Sequence, residues 1–125
     1  MMKIPLFVSV VDDDESVRES LPDLLTEFGF TSRTFSSAEQ FLASQVVSQT
    51  KCLILDIAMP GMGGPELQHE LERRRIKIPI IFITANQDET LRSRVLEEGA
   101  IQCLLKPFSD TALLQALNKA LKFTR

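Results

Sequence analysis

The sequence has few of the features that mark membrane, secreted or nucleic-acid-binding proteins. No apolar run approaches the roughly 20 residues of a membrane-spanning helix, and no signal peptide is expected at its start. The two cysteines each lie inside an apolar run, which is typical of buried thiols in a cytoplasmic protein. The net charge of −3 argues against a surface that binds nucleic acid directly. We therefore expect a cytoplasmic domain that contacts neither a membrane nor nucleic acid.

What the sequence does contain is the composition of an ordinary globular domain. Apolar residues make up 44% and charged residues 25% of the 125 residues, a length that suits one domain spanning 1–125. A chain of this size buries roughly two-thirds of its unfolded surface, enough for a core without disulfides.

Short apolar segments alternate with segments of helical periodicity along the chain. The segments that predict strands are residues 6–11, 30–35, 52–56, 79–83 and 102–105. This alternation predicts an α/β fold with a parallel sheet covered by helices on both faces. Its default form is the flavodoxin-like (βα)5 doubly wound sandwich, with five strands in the order 2-1-3-4-5.

Three features of the helical segments need separate interpretation. Pro22 lies inside the first helix, where it removes a hydrogen bond, so we expect a kink. His69 lies on the third helix without a partner motif and is expected at the surface. The run from Arg73 to Arg75 is expected to end that helix, where cations oppose the negative end of the helix dipole.

Polar residues stand where four of the predicted strands end. Asp12 and Asp13 follow the first strand, Asp56 ends the third, Thr84 follows the fourth and Lys106 follows the fifth. Each alone has an ordinary explanation as a helix cap, a turn or an exposed strand end. Because the carboxyl ends of parallel strands meet at the ligand-binding edge, complementary groups at all four ends favour a functional site.

The charges indicate which kind of site this is. Two unit charges about 4 Å apart repel by about 4 kcal/mol at an effective dielectric constant of about 20, so three converging carboxylates call for a cation. Oxygen ligands without His or Cys favour Mg²⁺ over zinc. Lys106 and the Thr84 hydroxyl add groups that would bind an oxyanion. The central carboxylate, Asp56, is then suited to covalent phosphorylation.

These residues resemble the hallmarks of a response-regulator receiver domain over essentially the whole chain. The hallmarks are Asp12-Asp13, the segment 56–60 with Gly64, Thr84-Ala85 and Lys106-Pro107. The resemblance implies that Asp56 accepts a phosphoryl group from a phosphohistidine on a sensor histidine kinase. It implies a signalling domain that assists its own phosphorylation and dephosphorylation, and not an enzyme acting on a separate substrate.

The resemblance also implies a role for each site residue. Asp13 and Asp56 would ligate Mg²⁺ with the main-chain carbonyl of Ala58, and Asp12 would act partly through water. Ala58, Thr84, Ala85 and Lys106 would contact the phosphoryl oxygens. The Lys106-Pro107 bond is expected to be cis, and Thr84 is expected to move when Asp56 is modified.

The chain departs from the family pattern at three positions. The family usually has Tyr or Phe where Cys103 stands, as a switch coupled to Thr84. Ala58 and Asn86 occupy positions at which the family tunes the lifetime of its phosphoryl group.

The face formed by helix four, strand five and helix five is expected to transmit the signal and to allow a homodimer.

The residues around Lys106-Pro107-Phe108 and the Asp56 loop are most similar to receivers of the FixJ/NarL group. Such receivers usually precede a helix-turn-helix DNA-binding domain, which would link this chain to transcription. No such output domain lies within the 125 residues. We expect either a receiver separated from its output domain, which we favour, or one that acts alone.

Other functions of the same fold are kept as alternatives. An aspartyl-phosphate hydrolase of the haloacid dehalogenase type would use Asp12 as its nucleophile, but it usually needs a cap insertion. A flavin carrier is disfavoured because an acidic loop after the first strand repels phosphate. A receiver-like interaction module that no longer takes phosphate is disfavoured by the intact acceptor, acids, threonine and lysine.

The two cysteines lie on strands three and five of the predicted order, with strand four between them. Adjacent strands are about 4.8 Å apart, whereas a disulfide tolerates Cα separations only to about 7 Å. We therefore expect no disulfide between Cys52 and Cys103 in the folded monomer.

Overall fold

The computed structural model describes residues 5–122. Its strands are β1 Phe7–Val11, β2 Thr31–Phe35, β3 Cys52–Asp56, β4 Ile80–Thr84 and β5 Gln102–Leu105. Its helices are α1 Glu15–Glu27, α2 Ala38–Ala43, α3 Gly64–Arg73, α4 Glu89–Glu97 and α5 Asp110–Leu121. All strand pairs are parallel, in the order β2-β1-β3-β4-β5. The predicted fold and strand order are confirmed, with strand boundaries shifted by single residues.

Short polar residues start most of the helices. The side chains of Asp14, Ser37, Asp88 and Ser109 accept hydrogen bonds from backbone N–H groups of α1, α2, α4 and α5 respectively. These bonds satisfy donors that the first turn of a helix leaves free. At the other end of α1, Gly29 has φ +93°, a left-handed conformation that favours glycine.

Pro22 does not end α1, which runs as one helix from Glu15 to Glu27. The Thr26 hydroxyl donates to the Pro22 carbonyl oxygen at 3.0 Å, one turn further on. Pro22 therefore leaves the helix continuous.

The segment between α2 and β3 contains a short regular turn. Residues Val47–Gln49 form a short 3₁₀ turn, and the Thr50 side chain that follows is buried. Its hydroxyl lies 2.7 Å from the hydroxyl of Ser9 on β1, so two buried polar groups satisfy each other. Ser9 and Thr50 are far apart in the sequence, and no sequence pattern predicted that their side chains would pair.

Helices on both faces of the sheet enclose two apolar clusters. One cluster joins α1 and α5 to side chains such as Val10 and Ile54, and the other joins α2, α3 and α4 to side chains such as Leu53 and Phe82. Every residue of β3 is buried, as expected for the central strand of a doubly covered sheet.

The third and fourth helices are joined on the surface near the end of α4. His69 is exposed as predicted, but its Nε2 lies 2.7 Å from the Glu98 carboxylate. Beside it the buried Gln68 amide donates to the Val95 carbonyl oxygen at 3.2 Å. Arg73 and Arg74 both contact Glu70, while Arg75 has left the helix with φ +60°.

The strand register places the predicted site residues at one edge of the sheet. Val11 lies opposite Leu55, so Asp12 follows beside Asp56. Thr84 pairs with Leu105 on β5, immediately before Lys106. Within residues 5–122, no helix is both long and apolar enough to cross a membrane.

Candidate functional site

Three carboxylates converge where β1 and β3 end. One oxygen from each of Asp12, Asp13 and Asp56 lies within 4.8 Å of the others. Asp12 is fully buried, Asp56 is 5% exposed and Asp13 is exposed to solvent. Two of the three acids are therefore buried, and the third lies at the protein surface.

The buried Asp12 is held by several groups at once. Its Oδ1 accepts the Asp14 N–H at 2.9 Å, and its Oδ2 forms an ion pair with the Lys106 ammonium at 2.8 Å. Arg18 donates to the Asp12 main-chain carbonyl at 2.9 Å. Neither Arg18 nor Asp14 was identified as a site residue from the sequence, because no motif links them to Asp12.

Lys106 lies between the two buried acids. Its Nζ is 2.8 Å from Asp12 Oδ2 and 3.9 Å from Asp56 Oδ2. The Lys106-Pro107 peptide bond is cis, as the family resemblance implied. The lysine is thus near the Asp56 carboxylate but pairs more closely with Asp12.

The surroundings of Asp56 oppose its ionised form. Burial chiefly, and then the Asp12 carboxylate, raise the pKa of Asp56 from 3.8 to about 7, although Lys106 acts in the opposite direction. A bound cation would remove this repulsion. All the converging donors are carboxylate oxygens, a set that fits a hard divalent ion such as Mg²⁺ and not zinc. The residues present therefore form an acidic pocket that could bind a metal ion.

The remaining predicted residues surround this acidic pocket at different depths. The Ala58 N–H lies 3.4 Å from Asp56 Oδ1, and Ala58 itself is exposed. The buried Thr84 accepts the Asn86 N–H at 3.0 Å through its hydroxyl oxygen. Ala85 and Lys106 line a cavity of about 630 Å³ between α1 and the start of α5.

Cys103 is near Thr84 but does not belong to the acidic pocket. It is 4% exposed and lines a separate cavity of about 430 Å³ with Thr84 and Arg92. Burial raises the pKa of the Cys103 thiol, and Arg92 opposes that rise. The buried thiol thus borders a space that Thr84 also lines.

The two cysteines are free thiols. Cys52 packs in the cluster with α1 and α5, whereas Cys103 packs in the cluster on the opposite face of the sheet. Their separation by a whole strand and by the sheet itself agrees with the expectation that they do not pair. Burial also raises the pKa of the Cys52 thiol to about 12.

A close approach of two backbones fixes the turn that follows Asp56. A Cβ added to Gly64 would lie 2.5 Å from the Asp56 carbonyl oxygen and 2.8 Å from the Phe82 ring. Only glycine fits this position without displacement of its neighbours. The start of α3 is therefore packed directly against the end of the strand that carries Asp56.

The sequence of this chain matches a known protein family and several of its members. The family described as "Response regulator receiver domain" matches residues 8–118. Nodulation protein W of Bradyrhizobium diazoefficiens is 44% identical over 110 residues, covering 88% of this chain and 48% of that protein. The transcriptional regulatory protein FixJ of Rhizobium meliloti is 39% identical over 113 residues, covering 90% of this chain and 55% of that protein.

Solved structures agree with these relatives. The crystal structure of FixJ-N has a TM-score of 0.84 at 36% identity and covers 97% of this chain and 96% of that one. The response regulator StyR has a TM-score of 0.86 at 47% identity and covers 94% of this chain and 59% of that one. The chain spans about half the length of the curated relatives it matches. On this evidence, the chain belongs to the family of response regulator receiver domains, signalling domains whose members include that of FixJ.

Proposed function

We propose that Asp56 accepts a phosphoryl group from a phosphohistidine on a sensor histidine kinase. The observation that supports this most is the position of Asp56, a nearly buried carboxylate with two further acids and Lys106 around it. Receiver domains of response regulators take phosphate from sensor kinases. The proposed acceptor, Asp56, and its charged neighbours lie close together in this structure.

The proposed reaction is a nucleophilic displacement at phosphorus. An Asp56 carboxylate oxygen forms a bond to phosphorus while the phosphorus–nitrogen bond of the phosphohistidine breaks. The imidazole nitrogen keeps the electron pair and leaves. Because protonation removes the nucleophile, the positive charge around Asp56 matters for keeping it ionised.

The residues around Asp56 would divide the remaining tasks. Asp12, Asp13, Asp56 and the Ala58 carbonyl would hold Mg²⁺, which when bound would offset the charge of the carboxylates and of the phosphoryl oxygens. Lys106 would exchange part of its contact with Asp12 for a phosphoryl oxygen. The other phosphoryl oxygens would be contacted by Ala58, Thr84 and Ala85.

The signal would leave the site through the face formed by α4, β5 and α5. Thr84 lines the same cavity as Cys103 and Arg92, so a movement of Thr84 would reach that face. We infer that residues 1–125 are the receiver of a longer regulator that controls transcription, since FixJ is named as a transcriptional regulatory protein. We also propose that the domain forms a homodimer through this face. It would act in the cytoplasm and would not contact DNA directly.

Intact mass spectrometry after treatment with a small phosphodonor and Mg²⁺ tests the proposal. One phosphoryl group is expected on wild type, none without Mg²⁺, and none on Asp56→Asn. Asp13→Asn should reduce uptake, since it removes a proposed metal ligand. Uptake by Asp56→Asn at the wild-type rate would overturn the assignment. Peptide mapping to Asp12 would favour the hydrolase alternative, and no uptake by wild type would favour the interaction module.

A further inference from the structure

One side chain from α2 reaches the loop that follows Asp56. This loop, residues 57–63, connects β3 to α3 and carries Ala58. The Glu39 carboxylate Oε2, in the first turn of α2, accepts the Met62 N–H at 3.2 Å. The two residues are 23 positions apart in the chain, so the bond joins two elements and does not close a local turn.

The loop has the shape that this contact needs. Gly61 has φ +75°, and a Cβ added there would lie 2.9 Å from Glu39 Oε2. The Glu39 carboxylate therefore lies where the side chain of a larger residue at position 61 would be. The main chain of Glu39 is anchored, because Ala38 and Phe41 on the same short helix are completely buried, while the Glu39 side chain is exposed.

Apart from the Ile57 N–H, which donates to the Ile83 carbonyl oxygen on β4 at 3.1 Å, the other hydrogen bonds of the loop come from residues close to it in the chain. The Ala58 N–H lies near Asp56 Oδ1, the Gly63 N–H donates to Glu66, and the Gly64 N–H donates to the Ile57 carbonyl. Across residues 5–122, Glu39 supplies the one side-chain hydrogen bond to this loop from outside β3 and α3. It is thus the side-chain hydrogen bond that ties the Met62 end of the loop to α2, whereas the Ile57 end is held on β4 through its main chain.

We infer that Glu39 is a positioning residue for the phosphoacceptor site. By holding Met62 it sets the path of the loop that carries the Ala58 carbonyl, the proposed main-chain ligand of the cation. This inference rests on the proposed function, because it assigns Glu39 to the same site. The bond needs an oxygen acceptor and not a negative charge, so a glutamine at position 39 would serve.

The test compares Glu39→Ala with Glu39→Gln, and Glu97→Ala serves as a control that removes an exposed surface carboxylate from α4. Amide hydrogen exchange at Met62, measured by NMR without metal, is expected to accelerate in Glu39→Ala and to stay near wild type in Glu39→Gln. Mg²⁺ titration should show weaker affinity for Glu39→Ala, by less than the roughly tenfold loss typical of removing a group bonded directly to a metal ligand, because Glu39 bonds to Met62. Glu39→Gln and the control should bind as wild type does.

Two results would overturn the inference. Equal losses of Mg²⁺ affinity in Glu39→Ala and Glu39→Gln would mean that only long-range charge is involved. Unchanged Met62 exchange in Glu39→Ala would mean that the contact does not order the loop. Absence of Mg²⁺ binding by wild type would instead overturn the proposed function, and the role of Glu39 with it, whereas Met62 exchange tests the contact independently of any metal.

Discussion

Asp56 is an acid whose folded environment favours its protonated form. Its pKa is about 7 in the folded protein, against an ordinary value of 3.8, chiefly because of burial and then because of Asp12. Between these two values the folded state binds more protons than the unfolded state. The stability that Asp56 contributes is therefore present in acid and is lost as the pH rises through about 7.

This sign leads to a prediction for the metal-free protein. Asp56→Asn cannot ionise, so it should raise the urea midpoint of unfolding more at pH 8 than at pH 5. Both proteins are measured in a chelating buffer, with the exposed Asp23→Asn as the control for loss of one charge. A gain from Asp56→Asn that is the same at both pH values would contradict the prediction.

The junction of β3 and α3 shows how an element depends on one missing side chain. Gly64→Ala would bring a methyl group to 2.5 Å from the Asp56 carbonyl oxygen, where the atoms of two elements already touch. Overpacking of this kind costs about 1–3 kcal/mol, and it would also displace the end of the strand that carries Asp56. We expect Gly64→Ala to lower the free energy of unfolding by that amount and to slow phosphoryl uptake.

The adjacent glycine supplies a matched control. A Cβ on Gly63 would meet its nearest neighbours at 3.4 Å, an ordinary contact, and Gly63 has φ −78°. Gly63→Ala should therefore cost much less stability than Gly64→Ala in the same urea titration. Equal losses would show that loss of glycine flexibility, and not the close approach, controls this junction.

The elements also show what the sequence could and could not predict. Asp88, Ser109 and Gly29 lie at helix ends and are residue types that favour such positions, because caps depend on residues within a few positions of one another. The contact of His69 with Glu98 was not predicted, since it depends on how α3 and α4 lie side by side. Local patterns describe single elements and carry little information on such cross-element contacts.

The same distinction holds for the site. Its residues could be predicted because parallel strands bring their carboxyl ends to one edge, and Asp12, Asp13 and Asp56 do converge there. The closer pairing of Lys106 with Asp12 than with Asp56 could not be predicted. That choice depends on distances of about an ångström, which strand order alone does not fix.

At the scale of the whole molecule, the cavity beside Cys103 bears on signal output. A ligand shifts a two-state protein only through different interactions with the two states, and a small thiol makes few of them. A ring at this position would border a cavity of about 430 Å³ that Thr84 also lines. Cys103→Phe is therefore expected to strengthen dimerisation on activation with the phosphoryl mimic beryllofluoride, as measured by sedimentation.

A control separates the ring from simple filling of space. Cys103→Val adds a little volume without an aromatic ring, so it should dimerise as wild type does. If wild type dimerises on activation as strongly as a stably folded Cys103→Phe, position 103 does not limit coupling in this protein.

The strand order also bears on how the chain folds as it is synthesised. β1 lies between β2 and β3, yet β3 follows two helices later in the chain. Until Cys52–Asp56 have left the ribosome, one edge of the apolar β1 has no partner strand, and closing that long loop slows the pairing. An unpaired strand edge on a nascent chain is a place where wrong partners attach, and β1 keeps such an edge until β3 has been made.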